Sequence, residues 1–389
     1  MGVDLLIVAG EHSGDNHAAS WVQALKKRHP QLSICAIGGP ALRQAGAHLL
    51  FDLTHWSAVG LIEVIRRYPS FMRLLHWTVE WVRAYQPKII CLVDFPGFNL
   101  KLAKRLCQEK LTYPHGGTTR IFGYISPQIW AWNTRRRFKI ERYFNHLGTI
   151  FPFEPTCFAD TSLDVRFVGH PLLNQPNPFR YDPNGPLLLL PGSRLGAVKQ
   201  ITPILKAAVH ELRKHYPQLH AIIPYPNQAI QRYLSVQELT GIDLCPLATF
   251  NTGVCSAIMS SGTASLQVAL AGIPGVITYR ANPITFFIGK RLAKVRYLSM
   301  ANILLHKPLY PEVLQDTPNQ ALTVAHQMES FLSQTEQSRT SFLEGADALK
   351  QLLSSHSVQT LVDWLESLLL TSTEAMALDA ELKNSNPKA

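Results

Sequence analysis

Four consecutive leucines, Leu187–Leu190, run straight into Pro191, Gly192, Ser193 and Arg194. An unbroken apolar run of this length, closed by turn-forming residues, suits a strand buried on both faces, which in a chain of this size belongs in the middle of a parallel sheet. The pattern recurs. "LLIVAG" leads into a polar loop and the helix-like "NHAASWVQALKKRH", and "SICAIGG", "KIICLVDF", "TRIFGYIS" and "HLGTIFPF" follow. Residues 171–186, "PLLNQPNPFRYDPNGP", are dense in Pro and Asn and read as a domain linker that neither helix nor strand tolerates well. Beyond them the alternation restarts with "LLLLPGSR", "HAIIPY", "GVCSAIMSSGT" and "IPGVITY". Two such series predict an α/β chain of two doubly wound layers, with a cleft between the carboxyl ends of their sheets where ligands of such folds bind. At 389 residues the chain is also too long for one comfortable core. "SVQTLVDWLESLLL" near the end predicts an amphipathic helix, followed by a weakly apolar tail that is expected to fray.

Charged residues make up only 16% and apolar ones 46%, which excludes a disordered chain. No apolar run reaches the roughly 18 residues of a membrane span, and the first residues lack the basic region of a signal peptide, so a cytoplasmic protein is expected. Six cysteines (Cys35, Cys91, Cys107, Cys157, Cys245, Cys255) have no paired metal-ligand spacing and are expected to be reduced thiols. Thirty-seven Lys and Arg against 27 Asp and Glu give a formal charge of +10. That predicts an anionic partner: nucleic acid, a phosphate-bearing substrate or an anionic membrane face. The charge alone does not choose among them.

Two glycine-rich turns close strands. "GEHSGDNHA" follows the first, where small residues let the backbone approach a ligand and the next helix offers its amides; Glu11 and Asp15 favour hydroxyl groups over a diphosphate, and a simple capped turn is the alternative. In the second half "PGSR" ends a strand and "SSGTASL" opens a helix. Helix-start amides with a guanidinium form a diphosphate clamp, so Arg194 reads as a phosphate ligand rather than a surface arginine once both turns are counted. Asp94 in "LVDFPGFN" ends a buried strand and can take a proton from an attacking hydroxyl; its alternative is to cap a helix beginning near Asn99. In "ISPQIWAWNTRRRFKI" Trp130 and Trp132 read as core with a basic rim, the alternative being base stacking. "GLIEVIRRYPSFMRLLHWTVEWVRAY" and "ITFFIGKRLAKVRYLSM" mix aromatic residues with cations. Phe71, Trp77, Phe286, Phe287, Lys290 and Arg291 are their candidate membrane-binding residues, against the alternative of ordinary core-facing helices.

Taken in order, "AGEHSGD", "VGLIEVI", "DFPGFN", "YISPQIWAW", "FPFE", "VGHPL", "LLPGSR", "SGTASLQ", "TFFIGKRLAKVRYLSMANIL" and "PEVLQ" resemble the lipid-A-disaccharide synthase family, from residue 5 to about 316. The resemblance implies a GT-B fold: a Rossmann-like acceptor and membrane-facing domain over 1–172, a UDP-sugar-binding domain over 173–350, and 351–389 returning as a helix to the first domain. It implies an inverting transfer of 2,3-diacylglucosamine from its UDP derivative to the 6-hydroxyl of 2,3-diacylglucosamine 1-phosphate, giving a β-1,6 disaccharide and UDP. Asp94 is then the implied base and Arg194 the diphosphate ligand. Asn302 lies near the nucleotide or donor sugar, and Ser261, Gly262, Thr263 and Gln267 contact diphosphate or ribose. Glu11, Ser13 and Asp15 line the opposite wall, and Asn99 is a further substrate-binding candidate. No cofactor or metal is implied, nor nucleic acid. The implied location is the cytoplasmic, inner face of the inner membrane, its anionic surface being a partner, and a homodimer is left open. Three positions depart from the family pattern: Gly97 where a second acid is common, Gln267 where a Glu holds the ribose, and Leu195–Gly196–Ala197 after "PGSR". Those departures keep a catalytically impaired homologue in view, beside a 2-epimerase or peptidoglycan N-acetylglucosaminyltransferase on the same fold.

Overall fold

The computed structural model describes residues 2–54, 68–282, 295–333, 335–354, 358 and 360–370. The chain divides into two compact units, one made of residues up to Asn174 together with those from Leu353 onward, the other of Gln175–Leu352.

In the first unit seven parallel strands form one sheet: β1 (Leu5–Ala9), β2 (Ile34–Gly38), β3 (His48–Asp52), β4 (Ile89–Val93), β5 (Arg120–Tyr124), β6 (His146–Thr149) and β7 (Asp164–Phe167). Their order is β3-β2-β1-β4-β5-β6-β7. β1, β2 and β4 read LLIVA, ICAIG and IICLV and are buried along their whole length, as strands covered on both faces must be. Leu6, Val8, Ile37, Ile90, Leu92 and Ile121 point to one face, where helices Tyr68–Tyr85 and Pro96–Gln108 bring Leu74, Val79, Val82, Leu102 and Leu106. The opposite face takes helix His12–Arg28, whose Trp21 meets Tyr124 edge to face at 6.4 Å. Residues 360–370 are helical and belong to this unit. Trp364 stands edge-on to Phe122 at 4.8 Å, while Arg28 pairs with Asp363 and Glu366 at 2.7 and 2.9 Å. The half-exposed ion pairs contribute little, so the buried Trp364 and its aromatic partner dominate this attachment.

The second unit carries β8 (Arg180–Tyr181), β9 (Leu187–Leu190), β10 (Ala221–Tyr225), β11 (Ile242–Pro246), β12 (Gly253–Val254), β13 (Ser256–Met259), β14 (Gly275–Tyr279) and β15 (Glu312–Leu314). Six of these form a parallel sheet in the order β11-β10-β9-β13-β14-β15, and β8 pairs with β12. The four leucines are β9, buried on both faces near the centre of that sheet. Leu187 and Leu189 pack under helices Leu195–His215 and Gln320–Ser333 through Val198, Ile201, Leu205, Val324 and Met328.

The Pro- and Asn-rich stretch is more ordered than its composition predicts. Pro171–Asn174 is a 3-10 turn, whose tight first residue suits a proline, and β8 lies within the same stretch. Asn177 accepts from the Phe179 amide at 3.0 Å, which folds the chain between them into an Asx turn.

Candidate active site

In the first unit the chemistry gathers where β4 and β5 end. Asp94 (φ 31°), Phe95 (φ 89°) and Ile125 (φ 67°) all lie in the left-handed region, and for the β-branched Ile125 that is a genuine outlier. Such residues cost roughly 1–3 kcal/mol each and cluster at functional sites. Neighbouring strands hold them: the Asp94 amide donates to the Tyr124 carbonyl at 3.0 Å and the Ile125 amide to Gly148 at 3.0 Å. Asp94 Oδ1 accepts from the Phe95 amide at 3.0 Å, and Asn99 Nδ2 donates to the carbonyls of Val93 and Asp94. The helix begins at Pro96 rather than near Asn99, because proline at the first position needs no amide partner. Phe95, not Asp94, is therefore the residue that precedes it. Asp94, Asn99 and Pro96 line a depression with Leu92, Leu100, Gly123, Ile125, Pro127, Ile140, Phe144 and Leu147.

Of the residues expected on the neighbouring turn, Glu11 is half-buried at the start of helix His12–Arg28 and Ser13 is exposed. Asp15 is not available to a ligand. It is 1% exposed, and its carboxylate accepts from the amides of Gly39 (2.7 Å), Ala41 (3.0 Å) and Leu42 (3.3 Å), so it caps the short helix Pro40–Gln44. Asn99 likewise spends its Nδ2 on backbone, although its Oδ1 is buried with no partner among the described residues.

Two segments quoted for their sequence meet farther along the same sheet. Glu154 of "FPFE" is buried and accepts from the amides of Ile150 and Phe151 and from Trp130 Nε1. Burial outweighs those donors and pushes its carboxyl up to about 7. Trp130 is half-buried and stands edge-on to Phe151 and Phe153; the Trp132 side chain lies outside the described residues. Burial also takes His17 down to about 4 and, together with the nearby His17, His170 to about 3. None of these three groups was marked by sequence reasoning, and only the repeated aromatic residues around Glu154 could have signalled it.

On helix Tyr68–Tyr85, Trp77 is 43% exposed, with Tyr68 and Met72 also exposed. Phe71 is half-buried, its ring packing on Phe95 and Phe98 at 6.1 and 6.3 Å. Phe286, Phe287, Lys290 and Arg291 lie outside the described residues.

In the second unit the two turns are neighbours because β9 and β13 pair, Leu190 opposite Met259. The Ser260 amide donates to the Leu190 carbonyl at 2.8 Å, and Gly192 takes φ 113° with space for no more than a contact at 3.3 Å from Ser260 Oγ. Arg194 directly precedes helix Leu195–His215 and is exposed; its carbonyl accepts from the Val198 amide at 3.0 Å, and its side chain has no hydrogen-bond or ion-pair partner among the described residues. Gly262 precedes helix Thr263–Leu270, Thr263 being exposed and Gln267 half-buried. Two helices thus open at neighbouring strand ends with the exposed Arg194 preceding one of them, an arrangement that suits a diphosphate. Ser261 differs from expectation in part, since its hydroxyl already donates to the Leu298 carbonyl at 2.7 Å.

Asn302 is a further correction. It is fully buried, its Nδ2 donating to Tyr310 O and Glu312 Oε1 and its Oδ1 accepting from the Tyr310 amide, so it is spent on its own fold and not presented at the surface. Glu312, unassigned from the sequence, also accepts from the amides of Leu298 and Ser299 at 2.8 Å. Together the pair fixes the segment on which the Ser261 hydroxyl rests.

Comparisons with known proteins agree with one another. The model of the family described as lipid-A-disaccharide synthetase matches residues 5–360. Lipid-A-disaccharide synthase 1 of Legionella pneumophila (strain Philadelphia 1) is 34% identical over 381 residues, 92% of this chain and 96% of that protein. Lipid-A-disaccharide synthase of Geobacter sulfurreducens is 33% identical over 338 residues, 80% of this chain and 83% of the other. Among solved structures, the UDP-GlcNAc 2-epimerase of Neisseria meningitidis superposes with a TM-score of 0.61 at 11% identity, over 94% of this chain and all of that one. At that identity the likeness speaks for the fold alone: two Rossmann-like units of the GT-B class.

Proposed function

The chain belongs to the lipid-A-disaccharide synthetase family and is a disaccharide-forming hexosyltransferase acting on a UDP-sugar and a lipid; from that premise we propose how its residues divide the work. The donor is UDP-2,3-diacylglucosamine and the acceptor 2,3-diacylglucosamine 1-phosphate. Asp94 accepts the proton of the acceptor's 6-hydroxyl as that oxygen attacks the anomeric carbon from the face opposite the leaving group. The new bond is then β-1,6. The bond between the anomeric carbon and the diphosphate oxygen breaks, and its electron pair stays on UDP. Arg194 and the amides opening helices Leu195–His215 and Thr263–Leu270 neutralise that charge, and preorganised donors of this kind are usually the largest contribution to such a step.

One observation carries the proposal: Asp94 is held in a strained backbone at a strand's carboxyl end, tied on both sides by Tyr124 and Asn99. Strain at a single carboxylate is what a positioned base would retain. The test is incubation with both substrates followed by mass spectrometry for the disaccharide. Asp94→Asn is expected to lose turnover by at least about 100-fold while keeping UDP affinity. Retention of most of its turnover would remove Asp94 from this role.

We further propose peripheral attachment to the anionic, cytoplasmic face of the inner membrane. Tyr68, Met72 and Trp77 are exposed on one helix with Arg73, and no helix of the described residues is long and apolar enough to cross a membrane. Flotation with anionic liposomes tests this; Trp77→Ser is expected to reduce the floated fraction, and undiminished flotation would speak against that helix.

A further inference from the structure

The stretch that follows β5 carries positive charge that the first unit does not use. Arg135, Arg136, Arg137 and Lys139 stand together there. Arg137 is engaged within the unit: its guanidinium forks onto both carboxylate oxygens of Asp160 and donates to the Thr134 carbonyl at 2.8 Å. The neighbouring acids are engaged as well, Glu141 by the amide and hydroxyl of Ser162, and Glu154 by Trp130 and the amides of Ile150 and Phe151. The side chains of Arg135, Arg136 and Lys139 have no hydrogen-bond or ion-pair partner among the described residues, although Arg136 is half-buried.

Topology places these cations. β5 and β6 run parallel, so the helix between them, Arg137–Tyr143, starts at the carboxyl edge of the sheet and returns to its amino edge. Arg136 is itself helical in backbone (φ −64°, ψ −20°), so Lys139 and Ile140 share its side of the helix. Ile140 is buried in the same wall as Asp94. Arg136 therefore stands one turn, about 5–6 Å, beyond Ile140 toward the edge at which Asp94 ends β4. Arg135 and Lys139 are likewise a turn apart, and like charges so spaced repel unless an anion lies between them.

Resting on the transferase reading above, we infer that Arg136 and Lys139, with Arg135 at the rim, bind the 1-phosphate of the acceptor sugar. On a hexose that group lies a ring's width from the 6-hydroxyl that Asp94 deprotonates, which matches an arginine one turn beyond the wall. A phosphomonoester brings about 1.5 to 2 negative charges at neutral pH and three acceptor oxygens, complementary to a planar fork beside a point charge. The donor's diphosphate has its own cation in Arg194, so each substrate's phosphate has a separate cationic partner. Arg136 and Lys139 thereby set specificity: a phosphorylated acceptor is chosen over a neutral one before Asp94 acts.

The experiment compares diacylglucosamine acceptors with and without the 1-phosphate in full-length wild type, Arg136→Ala, Arg136→Lys and Lys139→Ala. Each acceptor is assayed for disaccharide, and is titrated by calorimetry below its micellar concentration in saturating UDP, which closes the donor site to it. Wild type is expected to favour the phosphorylated acceptor by about 100-fold in kcat/KM, and Arg136→Ala to cut that ratio by about tenfold or more, through KM rather than kcat. Lys139→Ala should cut it by about threefold to tenfold, and Arg136→Lys should keep part of what Arg136→Ala loses. The titrated affinities should move with KM. A ratio within about twofold of wild type in both alanine variants overturns the assignment. If that unaltered ratio comes with reduced flotation on anionic vesicles, the cluster serves the membrane surface instead. If wild type forms no disaccharide from either acceptor, the transferase reading fails, and the titrations alone decide the phosphate site: wild type must bind the phosphorylated acceptor more tightly, and Arg136→Ala must lose that preference.

Discussion

The Phe95 ring lies so close over Gly10 that a Cβ on residue 10 would fall 2.3 Å from two of its carbons. The end of β1 is thereby fitted to the residue that follows Asp94, and the left-handed backbone of Phe95 is what brings its ring there. Gly10→Ala is expected to displace Phe95 and, with it, the carboxylate. Stability falls by roughly 1–3 kcal/mol for such overpacking, and turnover by more than about tenfold. A melting curve and kcat on one preparation check both.

Asp15 should behave as a structural residue. In Asp15→Asn one acceptor oxygen becomes a donor facing backbone amides, so a loss of about 2–3 kcal/mol is expected. KM for the UDP-sugar should stay within about twofold in the folded fraction. A raised KM with an unaltered melting curve would return Asp15 to the substrate wall.

Arg194 stands exposed beside two helix N-termini. Arg194→Ala is expected to weaken UDP by about tenfold to 100-fold in a calorimetric titration, and Arg194→Lys to recover only part of it, because a point charge replaces a planar fork. Unchanged affinity in the alanine variant would exclude the clamp.

Acid stability should report on the buried histidines. With folded values near 4 and 3 against 6.5, His17 and His170 are neutral in the native state, so their contribution is present above about pH 6.5 and lost as pH falls toward 4 and 3. Glu154, raised to about 7, has the opposite sign: its contribution is present below about 4.5 and lost as pH rises through 7. Between those limits two histidines outweigh one carboxyl, and each group contributes at most about 1.4 kcal/mol per pH unit. Urea midpoints are therefore expected to fall on acidification below 6.5. His170→Gln should flatten that limb and Glu154→Gln the decline near 7.

The central strands were legible because β1, β2, β4 and β9 are buried on both faces and so read as unbroken apolar runs. β3 and β7 were not: they are edge strands, half-exposed, and "HLLFD" and "DVRF" carry the charges that edges tolerate. The same limit applies at the site. Asp94 and Arg194 announced themselves as charged residues ending buried strands. Asp15 and Asn302 looked alike in kind, yet Asp15 is held by backbone amides 24 to 27 residues farther along and Asn302 by the backbone of Tyr310 and the carboxylate of Glu312, eight and ten residues on, which no local pattern records. Ile125 gave no signal at all, since its left-handed backbone is imposed by β6 through Gly148.

Helix 360–370 supplies Trp364 to a face of the first sheet whose strands were laid down some two hundred residues earlier. A ribosome therefore finishes the second unit before it can close the first. Throughout that interval Phe122 and His146 await their cover, so a chain released early carries an open greasy flank and is marked for aggregation or proteolysis.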